Sequence, residues 1–137
     1  MIIESADEFV RVRFSDDPEE YGRAARGSAS LEVWLDVIER YPDARFWVAH
    51  NKTVPLEILE RLVADPDWRV RSMVASKRKA TPEILARLAD DEHDSVRLTV
   101  AYHRNTSEQT LLQMVDDPWE DIRAKVDERL NPPDQGE

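Results

Sequence analysis

The sequence predicts an all-α protein: an α-solenoid of about four two-helix repeats with a period of 26 residues, preceded by an N-terminal helical cap. Three observations predict this fold. Several residue columns recur at one fixed step, apolar residues within each repeat fall at helical spacing, and capping residues stand where the helices should begin. Columns that share a period independently of one another indicate a repeat architecture.

The period is clearest at three places in each repeat. One column is valine, one is arginine, and one is an aspartate six residues before the arginine. The members are Val48, Val74, Val100 and Val126; Arg45, Arg71, Arg97 and Arg123; Asp65, Asp91 and Asp117. In the first repeat Glu39 stands at the aspartate position.

The first helix of each repeat, helix A, should begin at a hydroxyl residue. Ser30, Thr81 and Ser107 are the predicted N-caps. In the second repeat no hydroxyl residue stands at the corresponding position, and Thr53 is the candidate cap there. In the first repeat this predicts a helix over Ser30–Tyr41, with the register slipping by one residue before Arg45. Because helices of about ten residues are marginal alone in water, the repeats must stack to be stable.

The second helix, helix B, follows an Asp-Pro turn and should bury Val70, Met73 and Val74 in the second repeat. Residues at helical offsets from these positions should then point away from the core. We expect this outward column pair to contain Phe46, Ser72, Leu98 and Ala124, then His50, Ser76, Tyr102 and Glu128.

Residues 1–29 do not follow the period and are interpreted as the N-terminal helical cap. Ser5 is placed to cap a first helix, Ser15 to Pro18 to begin a second, and Gly27 to stop it. Residues 30–130 hold the repeats. Residues 131–137, with two consecutive prolines, are predicted to be a disordered tail.

Composition limits the function. The net charge of −10 argues against a general nucleic-acid binder. Simple solubility explains this acidity, and the alternative is an acidic surface that binds a basic protein partner. The chain lacks cysteine and has no apolar run of the roughly 18 residues that a membrane span needs. We therefore expect a cytoplasmic monomer that uses no membrane, metal or cofactor.

The motif running from Ile-Leu through Asp-Pro to Val-Arg and Val-Ala resembles HEAT-like repeats and the leucine-rich repeat variant (LRV) family, over about residues 30–130. The resemblance implies a helical scaffold that grips partners along a concave face lined by the second helices. It also implies an Asp–Arg ladder between repeats, which the pairs Asp65/Arg71, Asp91/Arg97 and Asp117/Arg123 match by spacing. The iron–sulfur cluster of some LRV proteins is not carried over, because its cysteines are missing.

The charged and aromatic residues have structural and functional interpretations. The arginine column could bind phosphates or could form the structural ladder, and the carboxylate six residues before each arginine favours the ladder. Of the tryptophans, Trp34 is predicted in the core, Trp47 in the core or at its edge, and Trp68 and Trp119 over the turn. The three histidines lack the spacing of a metal site.

The candidate binding surface lies on the outward face of helix B. Its aromatic and apolar members are unusual for a face without a partner, although ordinary scatter of apolar residues explains them equally well. The proposed groove residues are Phe46, His50, Ser72, Ser76, Leu98 and Tyr102, with Lys77, Arg78, Lys79 and Arg104 on the rim.

No arrangement of residues indicates a catalytic site. The sequence thus predicts a non-enzymatic protein-interaction scaffold, for example an inhibitor of the immunity type that masks a basic toxin. The alternative is a nucleic-acid-binding or alkyl-base-excising HEAT-like protein.

Overall fold

The computed structural model describes residues 1–133, and this part of the chain is all-α. The predicted fold class is confirmed. Residues 131–133 follow the last helix without regular structure, and the rest of the predicted tail, 134–137, lies outside the described residues. The helices among residues 1–133 are α1 (Ala6–Arg13), α2 (Pro18–Arg26), α3 (Leu31–Arg40), α4 (Arg45–His50), α5 (Leu56–Leu62), α6 (Trp68–Ser76), α7 (Pro82–Leu88), α8 (Asp94–Tyr102), α9 (Glu108–Gln113) and α10 (Glu120–Leu130).

The chain divides into two compact units, an N-terminal unit of Met1–Val74 and a C-terminal unit from Ala75 onward. The division falls inside α6, whose last two residues, Ala75 and Ser76, belong to the C-terminal unit. No helix within residues 1–133 has the length and apolar content that crossing a bilayer requires.

The predicted helix starts are mostly confirmed by side-chain caps. Ser30 accepts a hydrogen bond from the N–H of Val33, and Thr81 and Ser107 make the corresponding contacts at α7 and α9. In the N-terminal segment, Ser5 caps α1 and Asp17 caps α2. These oxygens satisfy donors that the first turn of a helix leaves open.

Thr53 does not cap α5, contrary to the prediction. Its hydroxyl contacts the carbonyl of Gly27 and the side-chain oxygen of Asn51, and α5 begins after Pro55 without a side-chain cap. Pro55 itself is the N-cap residue of α5, with an extended backbone conformation and a φ that its ring fixes. The helix therefore begins there without the hydroxyl acceptor that the other A helices have.

The buried face of helix B is rotated from the predicted one. In α6 the chain buries Val70, Arg71, Val74 and Ala75, whereas Met73 is only half-buried. The column that contains Met73 also contains Trp47, Thr99 and Lys125, all half-buried. This column therefore lies at the edge of the outward face, which settles the open choice for Trp47.

Each compact unit has its own apolar core. In the N-terminal unit Phe9 meets Trp34 edge-to-face at 5.2 Å between ring centroids, which confirms Trp34 as a core residue. The same core contains Val12, Val37, Val48, Ile58, Leu59 and Leu62, all fully buried. The core of the C-terminal unit contains Ile84, Leu85, Leu88, Val96, Val100, Leu111, Ile122 and Val126.

The first repeat departs from the others before helix B. A 3-10 turn, Pro42–Ala44, replaces the aspartate turn, and Arg45 donates to the carbonyl of Ile38, seven residues back. Glu39 is exposed and does not take the aspartate role. The one-residue slip in the sequence thus corresponds to a different turn.

Candidate functional site

Side chains of the arginine column donate hydrogen bonds to backbone carbonyls of the aspartate column. Arg71 donates to the carbonyl oxygen of Asp65 at 2.7 Å, and Arg97 and Arg123 make the same contact to Asp91 and Asp117. In these three contacts the acceptor is the backbone carbonyl of the predicted aspartate, where the sequence led us to expect its carboxylate.

The carboxylate partner lies 20 residues further along the chain. Nε of Arg97 donates to Oδ2 of Asp117 at 2.9 Å, and Arg45 reaches Oδ2 of Asp65 at 3.3 Å. The other carboxylate oxygen of Asp117 accepts from the N–H of Trp119, two residues on, and so shapes the turn before α10. Each aspartate of these pairs thus joins an earlier arginine to the start of the next helix.

This arrangement supports the structural interpretation of the arginine column. The side chains of Arg97 and Asp117 are 13% and 5% exposed, and those of Arg45 and Asp65 are 23% and 5% exposed. A guanidinium already engaged by a carboxylate and a carbonyl has few donors left for a phosphate.

A second set of contacts, which the sequence did not predict, lies at the ends of the B helices. The side chain of Asn51 donates to the carbonyls of Ala24 and Gly27, and Asn51 is fully buried. His103, at the same place in its repeat, contacts the carbonyl of Lys77 through Nε2 at 2.7 Å.

Arg129 completes this column by donating to the carbonyls of Ala101 and His103. Asn51, His103 and Arg129 share the 26-residue step but not a residue type. The only signal in the sequence was therefore the step itself, combined with the ability of all three side chains to donate a hydrogen bond. These contacts give His103 a structural role.

The exposed residue of the C-terminal unit that best fits a binding anchor is Tyr102, at the end of α8. Its exposed fraction is 60%, and Nζ of Lys125 lies 4.5 Å from the centre of its ring. On one side Tyr102 and Leu98 line a shallow cavity with Asp121 and Glu128. On the other side Tyr102 lines a cavity of about 450 Å³ with Ser76, His103, Arg78 and Arg104.

The C-terminal unit therefore brings together five of the predicted groove residues: Ser76, Arg78, Leu98, Tyr102 and Arg104. Lys77 is half-buried and Lys79 exposed, and neither lines these cavities. Ser72 is half-buried on α6, in the N-terminal unit.

In the N-terminal unit, Phe46 and His50 form an aromatic cluster with Trp47. Phe46 meets Trp47 edge-to-face at 4.9 Å, and the rings of Phe46 and His50 are nearly parallel, with centroids 6.4 Å apart. Phe46 and Trp47 also line a cavity of about 380 Å³ with Pro42 and Arg69. That this cluster and the Tyr102 surface form one groove remains a prediction.

The remaining tryptophans differ from each other in exposure, and the described histidines do not form a metal site. Trp68 is 38% exposed, which is more than its predicted position over the turn implied, and Trp119 is half-buried. Within residues 1–133, no group of three His, Asp or Glu side chains is placed to hold a metal ion.

Two stretches of the chain match a known family, the leucine rich repeat variant, at residues 42–67 and 95–118. The predicted resemblance to LRV repeats is confirmed. Each matched stretch begins near helix B of one repeat and ends at the turn after the next helix A. The Arg45–Asp65 pair falls within the first LRV match and the Arg97–Asp117 pair within the second.

The LRV matches support a repeat scaffold, since LRV repeats are structural elements. No curated protein and no solved structure has a significant match to the chain. The surfaces described above therefore carry the functional argument.

Proposed function

We propose that this chain, with its LRV-type repeats, is a non-enzymatic protein-interaction module, whose partner docks on the outward face of helix B around Tyr102. The observation that carries this proposal is the 60% exposure of Tyr102 between two cavities. An exposed aromatic side chain on rigid secondary structure loses little conformational entropy on binding, and such residues supply much of the energy of protein interfaces.

The surroundings of Tyr102 suggest the chemistry of the contact. Leu98 supplies apolar surface beside it, and Arg78 and Arg104 line the cavity on its other side. A complementary partner would present an apolar side chain next to a carboxylate. The net charge of −10 still favours a partner that is basic as a whole, because long-range attraction depends on total charge.

The proposed module acts by occupying a partner rather than by transforming it. An inhibitor that masks a toxin is one form of such a module, and a cytoplasmic location and a monomeric state remain part of the proposal. Predicted groove residues of the N-terminal unit, Phe46 and His50, would enlarge the contact if the partner reaches both units.

The experiment that tests this function compares three forms of the full chain as bait in the native host. These are the wild type, Tyr102→Ala and Leu112→Ala, the last removing an apolar side chain that is 53% exposed on α9, a helix A. A protein retained by the wild type and by Leu112→Ala, but lost with Tyr102→Ala, is the expected result. If all three baits retain the same proteins, Tyr102 is not the anchor and the proposal fails.

A second candidate function is nucleic-acid binding, because Tyr102 with Arg78 and Arg104 combines an aromatic ring with two cations. Titration of labelled single- and double-stranded DNA, followed by fluorescence polarisation, distinguishes the two. Micromolar binding that weakens steeply with salt and is lost in Arg78→Gln/Arg104→Gln would favour nucleic acid over protein.

A further inference from the structure

A second cavity of the N-terminal unit, of about 330 Å³, lies beside Trp47 and is lined mostly by residues that the sequence did not single out. Helices α1, α2 and α4 all contribute to it. Its walls are the aromatic rings of Tyr21, Trp47 and His50, the small residues Gly22, Ala24 and Ala25, and two arginines, Arg13 and Arg26. The cavity therefore combines apolar walls with two positive charges.

The guanidinium of Arg13 is fixed in place by an aromatic ring. Its central carbon lies 3.4 Å from the centre of the Trp47 ring. Nε of Arg13 is buried and has no hydrogen-bond partner in the described part of the chain. Because Nε is buried, an oxyanion in the cavity would be bound by the terminal Nη groups of the stacked guanidinium.

The guanidinium of Arg26 lies close to the glycine four residues before it. Nη2 of Arg26 lies 2.7 Å from the place that a Cβ of Gly22 would occupy. Glycine in the interior of a helix is less favourable than alanine. The absence of a side chain at Gly22 lets Arg26 fold back along α2.

Within residues 1–133, neither cation is neutralised by a carboxylate. The arginine ion pairs there involve other arginines, including Arg11 with Glu20 and Arg23 with Glu8 on the same two helices. Two such guanidiniums in one cavity are unexpected in a chain with a net charge of −10. Their charge is complementary to a group with two negative charges.

We propose that this cavity binds a phosphate monoester whose organic part is aromatic. Arg13 and Arg26 would donate to the phosphate oxygens, and the organic ring would lie against Trp47 and Tyr21. The volume is at the lower end of the range for small-molecule sites, about 300–1,000 Å³, and suits one ring with one charged group. This binding is independent of the proposed contact at Tyr102.

The test uses phenyl phosphate as the probe, with the full chain and with the indole N–H signal of Trp47 followed by NMR. The expected result is a saturable shift, with affinity about tenfold higher than for benzoate, which carries one charge, or for inorganic phosphate, which lacks the ring. Tyr102→Ala should bind phenyl phosphate as the wild type does. A loss of binding in that variant would contradict the independence of the two surfaces.

Three variants of the cavity are compared with one control. Arg26→Gln and Arg13→Lys should each weaken the probe by about tenfold, the scale of one charged hydrogen bond. Gly22→Ala should weaken it similarly while the melting temperature stays equal or rises, because alanine favours the helix but displaces Arg26. Arg61→Gln, an exposed arginine on α5, should leave affinity unchanged.

The proposal is overturned if phenyl phosphate gives no saturable shift, or if its affinity is the same in Arg13→Lys and Arg26→Gln as in the wild type. Equal affinities for benzoate and phenyl phosphate would also overturn it, since Arg13 and Arg26 would then not distinguish a group with two negative charges from a group with one.

Discussion

Arg97 and Asp117 form an ion pair with 2.9 Å between Nε and Oδ2, and this pair joins the first helix of the second LRV match to the turn that follows its second helix. Arg97 at the same time holds the carbonyl of Asp91, so that one guanidinium ties three segments of the C-terminal unit. Removal of the Arg97 side chain should therefore lower the stability of the fold.

Arg97→Ala should lower the free energy of unfolding by about 1–3 kcal/mol, because the nearly buried carboxylate of Asp117 loses its charged partner. Arg123→Ala is the matched control, since the exposed Arg123 donates to the carbonyl of Asp117 rather than to its carboxylate. Urea unfolding of both variants would measure the difference. Equal losses in the two variants would show that the carboxylate pair adds nothing.

His103 should be replaceable by asparagine but not by phenylalanine. Phenylalanine leaves the carbonyl of Lys77 and the N–H of Asn105 without their side-chain partner, at a cost of about 1–3 kcal/mol. Asparagine should retain both contacts, because Asn51 makes the same two kinds of contact in the N-terminal unit. Thermal unfolding, with amide exchange at Asn105 as the local measure, tests the pair of variants.

Acid should weaken the contact between α1 and the end of α3. The hydroxyl of Tyr41 donates to Asp7, and with the nearby Arg40 guanidinium it lowers the pKa of the Asp7 carboxyl below its ordinary value. A group whose folded pKa is lowered stabilises the fold above its unfolded pKa, and this contribution is lost as pH falls through the folded value.

The stability of the wild type should accordingly decline more steeply below about pH 4 than that of Asp7→Asn. Asp36, whose pKa is lowered by its hydrogen bond with Arg40, should respond in the same direction. Carboxyl titrations by NMR in the two proteins would measure this. A carboxyl of Asp7 that titrates at or above its ordinary pKa contradicts the prediction.

Tyr102→Ala should weaken the partner identified by affinity capture more than tenfold while leaving the melting temperature unchanged, because the side chain is 60% exposed. Arg104→Glu should have a smaller effect that depends on salt, since exposed charges mainly alter the association rate. Calorimetric titration at two salt concentrations separates the two. A lower melting temperature for Tyr102→Ala than for the wild type would instead show that Tyr102 is a structural residue.

Base excision is not expected. Incubation with duplex DNA carrying an alkylated purine should release no free base, since no carboxylate of the described residues lines the cavity that holds Arg78 and Arg104. Release that is abolished by replacing one carboxylate would reverse this prediction.

The sequence predicted the helices well because their signals are local. A hydroxyl before Leu31 or Pro82 satisfies the first-turn donors wherever the helix packs, so Ser30 and Thr81 could be read directly. The fold class followed from the repeat, which needs only a fixed step between columns.

The pairing of the charged residues could not be read in the same way. Asp91 lies six residues before Arg97, and Asp117 lies six residues before Arg123. This spacing alone does not show which of the two carboxylates contacts Arg97. The column of Asn51 and His103 was missed because different side chains perform one task there. Arg13 and Arg26 lie outside the repeat, and only the tertiary structure brings them to one cavity.

The contacts at the ends of the B helices also set a rule for lengthening such a chain. His103 reaches a carbonyl 26 residues earlier, and Arg129 reaches one 26 residues before itself. An insertion of one whole period within the C-terminal unit preserves this step, provided that the new repeat has a donor side chain at the place of His103. An insertion of another length between these residues would change the 26-residue step that separates each donor from its acceptor, whereas duplication of one whole period preserves it.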